Sequence, residues 1–138
     1  MIFVDTGFFF ALLSERDPDH ARALEVLEKL RGQNLKDLLL TTNHVVFETI
    51  TLAQARAGHG LAVEVGDILY AEQMARIHRS GFDEERAAFD YLRRHRDKGY
   101  SAVDCLSFVV MERLGIREAL AIDAHFTHRF IARPGPAE

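Results

Sequence analysis

Two short apolar, β-prone runs in this chain each stop at an acid. Met1–Val4 runs into Asp5, and Ala119–Ile122 runs into Asp123. A run of four apolar residues bounded by polar ones reads as a short buried strand. Three similar stretches complete the set. Leu38–Thr42 is a second strand, Met74–His78 alternates weakly as a third, and Phe130–Ala132 follows Ala119–Ile122 as a fifth. Helical spacing fills the intervals. It starts at Thr6 with Phe8, Phe9, Leu12 and Leu13, and recurs over His20–Arg31, Asn43–Ala57, Leu61–Tyr70, Asp83–Arg96 and Ser101–Leu114. Asn43 stands where it can cap the third of these helices. Polar, Gly- or Pro-containing breaks at Ser14–Asp19, Gly32–Asp37, Gly58–Gly60, Ser80–Gly81 and Asp97–Gly99 separate the elements. Strands alternating with helices predict an α/β sandwich around a mainly parallel sheet. In such sheets, sites form beyond the carboxyl ends of the strands, where Asp5 and Asp123 lie.

The 138 residues suit one domain, drawn here as residues 1–133 with a flexible tail at 134–138. A net charge of −4 excludes a protein that coats nucleic acid by bulk charge, though not a local basic patch. One cysteine, Cys105, permits no intrachain disulfide, which points to a reducing compartment and so to the cytoplasm. No basic leader precedes the first apolar residues, and Phe8–Leu13 is too short to cross a bilayer.

Two further acids, Glu48 and Asp104, sit inside mostly apolar helical stretches. A carboxylate is costly to bury unless a partner or a metal compensates it. Each of the four acids also has a plain structural reading. Asp5 and Asp123 can cap the turns that follow them, and Ser101-Ala-Val-Asp104 has capping-box spacing. Glu48 can pair with an arginine. Those are four separate accounts, whereas one site for a hard divalent cation explains all four acids together.

The same residues carry a resemblance. Ile2-Phe3-Val4-Asp5-Thr6-Gly7, Thr42–Thr49 around Glu48, Tyr100–Cys105 around Asp104, and Ala121-Ile122-Asp123-Ala124-His125-Phe126 are similar, in order and spacing, to the four motifs of PIN-domain ribonucleases. The likeness is strongest to the VapC-like toxins of toxin–antitoxin pairs. It implies a three-layer α/β/α fold, commonly a homodimer, and an Mg²⁺- or Mn²⁺-dependent endoribonuclease leaving a 5′-phosphate and a 3′-hydroxyl. It also implies an RNA substrate and a small cognate antitoxin. Many relatives carry Asn where this chain has Gly7, so any polar contact from that position is missing. Asp123 answers to the acid whose importance varies most in the family.

On this reading Asp5, Glu48, Asp104 and Asp123 are the catalytic, metal-binding residues, with Thr6 and Ser101 orienting carboxylates or metal-bound waters. Acids cannot hold RNA, so a basic surface must flank them. Arg93, Arg94, Arg96 and Lys98 cluster just before the third motif, and Arg76 and Arg79 form a weaker second group. The alternative for the first cluster is a solvated helix end. The histidines, His125 among them, lack metal-ligand spacing and read as structural. Cys105 reads as a buried small hydrophobe; Phe8, Phe9 and Phe10 read as rings covered by later helices, with one ring packing at an interface as the alternative. Competing functions are a housekeeping RNA-processing nuclease, a Mg²⁺-dependent phosphatase using Asp5 as nucleophile, and a non-catalytic RNA-binding module. The phosphatase reading wants a second Asp where Gly7 stands.

Overall fold

A computed structural model describes all of residues 1–138. Five strands form one sheet in the order β3-β2-β1-β4-β5, and all four pairings are parallel. They are β1 (Ile2–Val4), β2 (Leu39–Thr42), β3 (Arg76–His78), β4 (Glu118–Ala121) and β5 (Ile131–Pro134). The helices are α1 (Thr6–Leu13), α2 (His20–Glu28), the single turn α3 (Leu35–Leu38), α4 (Asn43–Ala57), α5 (His59–Tyr70), α6 (Phe82–Arg94) and α7 (Ala102–Leu114). A 3-10 turn at Ala124–His128 joins β4 to β5. The chain steps outward from β1 to β2 and β3, then returns to β4 on the other side of β1. Right-handed crossovers therefore place α1–α5 on one face and α6–α7 on the other. The expected three-layer parallel α/β architecture is what forms.

The reversal of direction lies between β1 and β4, where Phe3 pairs with Ala119 and Val4 with Leu120. That is the crevice in which open parallel sheets bind ligands. The core beneath it is aromatic. Phe3, Phe108 and Phe126 are fully buried, with Phe108 edge-on to both Phe126 and Tyr100 at 5.0 Å. Phe8, Phe9 and Phe10 are all buried, as the covered-ring reading expects. So is Cys105, whose thiol is pushed up to about 11 by burial and by the nearby Asp104, leaving it inert as a nucleophile.

Several boundaries differ from expectation for local reasons. Thr42, not Asn43, caps α4, its hydroxyl accepting the Val45 N–H at 3.1 Å. Asn43 instead accepts the Ser80 N–H at 2.8 Å, tying α4 to the segment after β3. Gly58, at φ +95°, is the whole joint between α4 and α5, so α5 begins two residues earlier than the Gly-rich triplet suggests. β5 runs through Pro134, and Arg22 donates to the Gly135 carbonyl at 2.8 Å, so the first residues of the expected tail are held against the body. No helix is long and apolar enough to cross a membrane.

Candidate metal centre

Asp5 leaves β1 with its N–H still in the sheet, donating to the Leu120 carbonyl at 3.0 Å, and α1 starts at the next residue. It stands at the N-cap with extended backbone, yet its side chain makes no capping bond. Its Oδ1 is buried without a hydrogen-bond partner, and so is the hydroxyl of Thr6. Asp5 is 4% exposed. Burial pushes its carboxyl from 3.8 up to about 8; repulsion from Asp104, and then from Glu48 and Asp123, adds to this, and the Thr6 N–H offsets it only in part. All four acids thus converge electrically on the carboxyl end of β1. Unpartnered buried polar atoms are rare in folded proteins and ask for a reason.

Asp104 and Asp123 are different, because their capping readings hold. Ser101 and Asp104 form a reciprocal capping box at the start of α7, the Asp104 N–H reaching Ser101 Oγ at 3.0 Å and the Ser101 N–H reaching Asp104 Oδ2 at 3.1 Å. Asp123 Oδ1 accepts the His125 N–H at 2.9 Å and caps the 3-10 turn. Capping uses one oxygen of each carboxylate and leaves the other free. Glu48, one and a half turns into α4, is half-buried and paired with no cation, so the arginine-paired reading fails.

His125 is the residue that sequence reasoning set aside. Its Nδ1 lies 3.0 Å from Asp104 Oδ2 and 3.4 Å from Asp123 Oδ1. The ligating atoms of Asp104, Asp123 and His125 all fall within 4.8 Å of one another. Sequence spacing could not show this, because His125 meets Asp104 across 21 positions. The available signal was the Phe at 126. That ring is fully buried against Phe3 and Phe108, and it anchors the turn so that His125 faces α7.

The donor set suits a hard divalent cation. Asp104, Asp123 and His125 stand close enough to share one ion, and Asp5, with its unpartnered oxygen, and Glu48 join them through the field felt at Asp5. The basic cluster precedes the loop that leads to it. Arg93, Arg94, Arg96 and Lys98 are exposed and form no salt bridge, with Arg93 lying over the Phe89 ring at 5.0 Å and Arg94 over the Tyr91 ring at 5.8 Å. The loop they enter reaches the site: a Cβ on Gly99 would stand 4.0 Å from His125 Nε2, and the Tyr100 ring meets the His125 ring edge-on at 5.2 Å. Arg76 and Arg79 are instead paired, with Asp37 and Glu72. At Gly7 a Cβ would meet Ile122 at an ordinary 3.7 Å, so no close approach demands the glycine.

Comparison with known proteins identifies the family and the fold. The PIN domain family model matches residues 2–129. The chain is 38% identical over 127 residues to the 23S rRNA-specific endonuclease VapC20 of Mycobacterium tuberculosis, covering 92% of each chain. It is 30% identical over 139 residues to a VapC ribonuclease of Archaeoglobus fulgidus, covering 94% of this chain and 81% of the relative. The crystal structure of the M. tuberculosis VapC20 toxin, a sarcin–ricin loop cleaving protein, superposes with a TM-score of 0.83 at 36% identity, over 93% of this chain and 94% of that one. With sequence and fold agreeing along nearly the whole length, the chain belongs to the PIN-domain family and is an endoribonuclease of its VapC group.

Proposed function

We propose that Asp5, Glu48, Asp104 and Asp123 hold Mg²⁺ or Mn²⁺ and that the enzyme cuts a structured ribosomal RNA loop, as the toxin of a pair with a small antitoxin. The observation that supports this most is the unpartnered Asp5 Oδ1 and Thr6 hydroxyl, buried in the field of three other acids. A bound divalent ion would lower the pKa of an attacking water and neutralise charge on the phosphate. Asp5 supplies the innermost carboxylate, and its proton must leave before a cation can take its place. Asp104 is held in one rotamer by the capping box, and Asp123 by its own turn, so two ligands are set before any ion arrives. Ser101 acts by fixing Asp104, and Thr6 has a hydroxyl free to orient a water. His125, between Asp104 and Asp123, holds both carboxylates in place.

The anionic centre repels RNA, so the unpaired Arg93, Arg94, Arg96 and Lys98 take the phosphates on either side. Ribosomal RNA is the substrate class because a relative at 38% identity is named for 23S rRNA and its structure for the sarcin–ricin loop. The resemblance adds the 5′-phosphate and 3′-hydroxyl products, the antitoxin, a homodimer and a cytoplasmic setting. The phosphatase route gains nothing here, since Gly7 carries no second carboxylate. The test is cleavage of an end-labelled sarcin–ricin stem–loop, against a stem–loop of scrambled loop sequence, by wild type and Asp5→Asn with Mg²⁺, Mn²⁺ or EDTA. Metal-dependent cutting confined to the first RNA and to wild type is expected. Equal cutting of both RNAs would sink the substrate assignment, and cutting in EDTA would sink the metal role.

A further inference from the structure

Beside Glu48 the surface opens into a groove whose walls are aromatic. Phe47 of α4 and Tyr70 at the end of α5 line it, with Thr51, Val103 and Arg79 at its sides. Both rings are exposed, Phe47 at 66% and Tyr70 at 48%. Phe47 lies one residue from a metal-site acid, so the groove and the acidic centre share Glu48 as a common wall. A polymer held with one phosphate at the acids must continue into neighbouring space, and this groove has Glu48, one of those acids, in its wall.

We infer that the groove is a stacking subsite for an unpaired RNA base next to the scissile phosphate, with Phe47 as its platform and Tyr70 as its second ring. This rests on the ribonuclease reading above and names how that site grips its substrate. Flat, exposed rings beside a phosphate-handling centre suit a nucleobase, whose π-face stacks on aromatic side chains. The Arg79 guanidinium also lines the groove, exposed while paired with Glu72 at 3.3 Å and donating to the Ile77 carbonyl at 3.1 Å, which holds a cation at the rim. Two of the polar side chains lining the groove are already engaged. The Asn43 amide is bonded on both sides to the Ser80 backbone, and the His44 ring lies between Glu85 and Asn43. With those two engaged, the Thr51 and Tyr70 hydroxyls are the neutral groups left at the groove to meet a base edge. The subsite grips the base chiefly by its face, with RNA shape setting most of the selectivity for the cut position.

The test is equilibrium binding of a fluorescein-labelled sarcin–ricin stem–loop to the full chain carrying Asp5→Asn, without metal, so that the RNA stays intact. Adding Phe47→Ala should weaken binding by roughly ten- to hundredfold, and Phe47→Trp should restore it. Because stacking involves no counterion, the salt dependence of binding should stay the same in both variants. With 2-aminopurine placed in turn at each loop position, one position should be quenched by protein carrying Phe47 and not by Phe47→Ala. An affinity unchanged by Phe47→Ala, or no affinity in the Asp5→Asn background, would overturn the inference, the first result leaving the rings to a protein partner. Phe47 is exposed, so the variant is expected to fold, and an unchanged melting temperature checks it. Metal-dependent cutting by wild type tests the nuclease reading separately, so the two ideas fail on different measurements.

Discussion

The two sides of the crevice deliver their acids in opposite ways. On the β1–α1 side, Asp5 and Thr6 are buried with an oxygen each left unpartnered, and the N-cap position goes unused by its side chain. On the α7 and 3-10 turn side, Asp104 and Asp123 each perform a structural bond while facing the same space, with His125 between them. The first arrangement costs stability, because buried polar groups without partners lose their hydration. The second adds to it, because capping satisfies free backbone N–H groups. On the proposed reading, one half of the site gives up folding stability to keep oxygens open for a cation, and the other half is a rigid wall that folding builds in any case.

The largest effect is expected from Asp5→Asn. Cleavage should fall by about a hundredfold or more, the scale seen when one electrostatic stabiliser of a transition state is removed. The metal-free variant should nevertheless melt higher than wild type at pH 7–8, since a neutral amide needs no proton, whereas the buried carboxyl must take one up that the unfolded chain has released. Asp104→Ala should lower the melting temperature instead, as the capping box is lost. If both variants shift thermal melting in the same direction, the contrast between the two sides is wrong.

Acidity sharpens the comparison next. Asp5 titrates near 3.8 unperturbed and near 8 here, raised chiefly by burial. Between those values the folded state keeps a proton that the unfolded chain has released. The unfolded state binds fewer protons, so this contribution to stability is complete below pH 3.8 and is lost as pH rises through about 8. Urea melts of the metal-free protein from pH 4 to 9 should show that decline, with Asp5→Asn flattening it. Mn²⁺ affinity should run the other way, tightening with pH until the Asp5 proton is gone. A wild-type slope identical to that of the variant would remove Asp5 as its source.

A smaller effect belongs to His125→Ala. Groups that hold metal-binding side chains in place commonly change affinity by tenfold or more, so calorimetric titration with Mn²⁺ should show a loss of about tenfold. Unchanged affinity would assign His125 to the turn alone. Ser101→Ala should be the mildest, at about 1 kcal/mol of stability from the lost cap. Its activity should drop only as far as Asp104 gains rotameric freedom, and chemical denaturation beside initial rates would separate the two effects.

Much of this was legible beforehand because it is local. Asp5 and Asp123 stand at the ends of apolar runs, and a strand that must be buried on both faces writes itself as such a run. The capping box at Ser101 and Asp104 needs only four residues and local backbone geometry. The third strand was less clear, because β3 is three residues long and Arg76 within it is exposed. The choice of Thr42 over Asn43 as the cap was also hidden. Either residue can cap, and the decision came from Ser80, which occupies the Asn43 side chain from 37 positions away.

The sequence by itself determined the alternation of strand and helix, the acids at the strand ends and the likeness to PIN-domain nucleases, since each of these lies in short-range pattern or in the order of motifs. Only the tertiary structure decided that Asp5 and Thr6 would be stranded without partners while Asp104 and Asp123 would not. It also brought His125 between two acids and placed Phe47 and Tyr70 on one groove with Glu48. Those relations join residues that are distant in the chain. They follow from which elements the sheet order places side by side, and from the buried Phe3–Phe126–Phe108 aromatic cluster that holds them there.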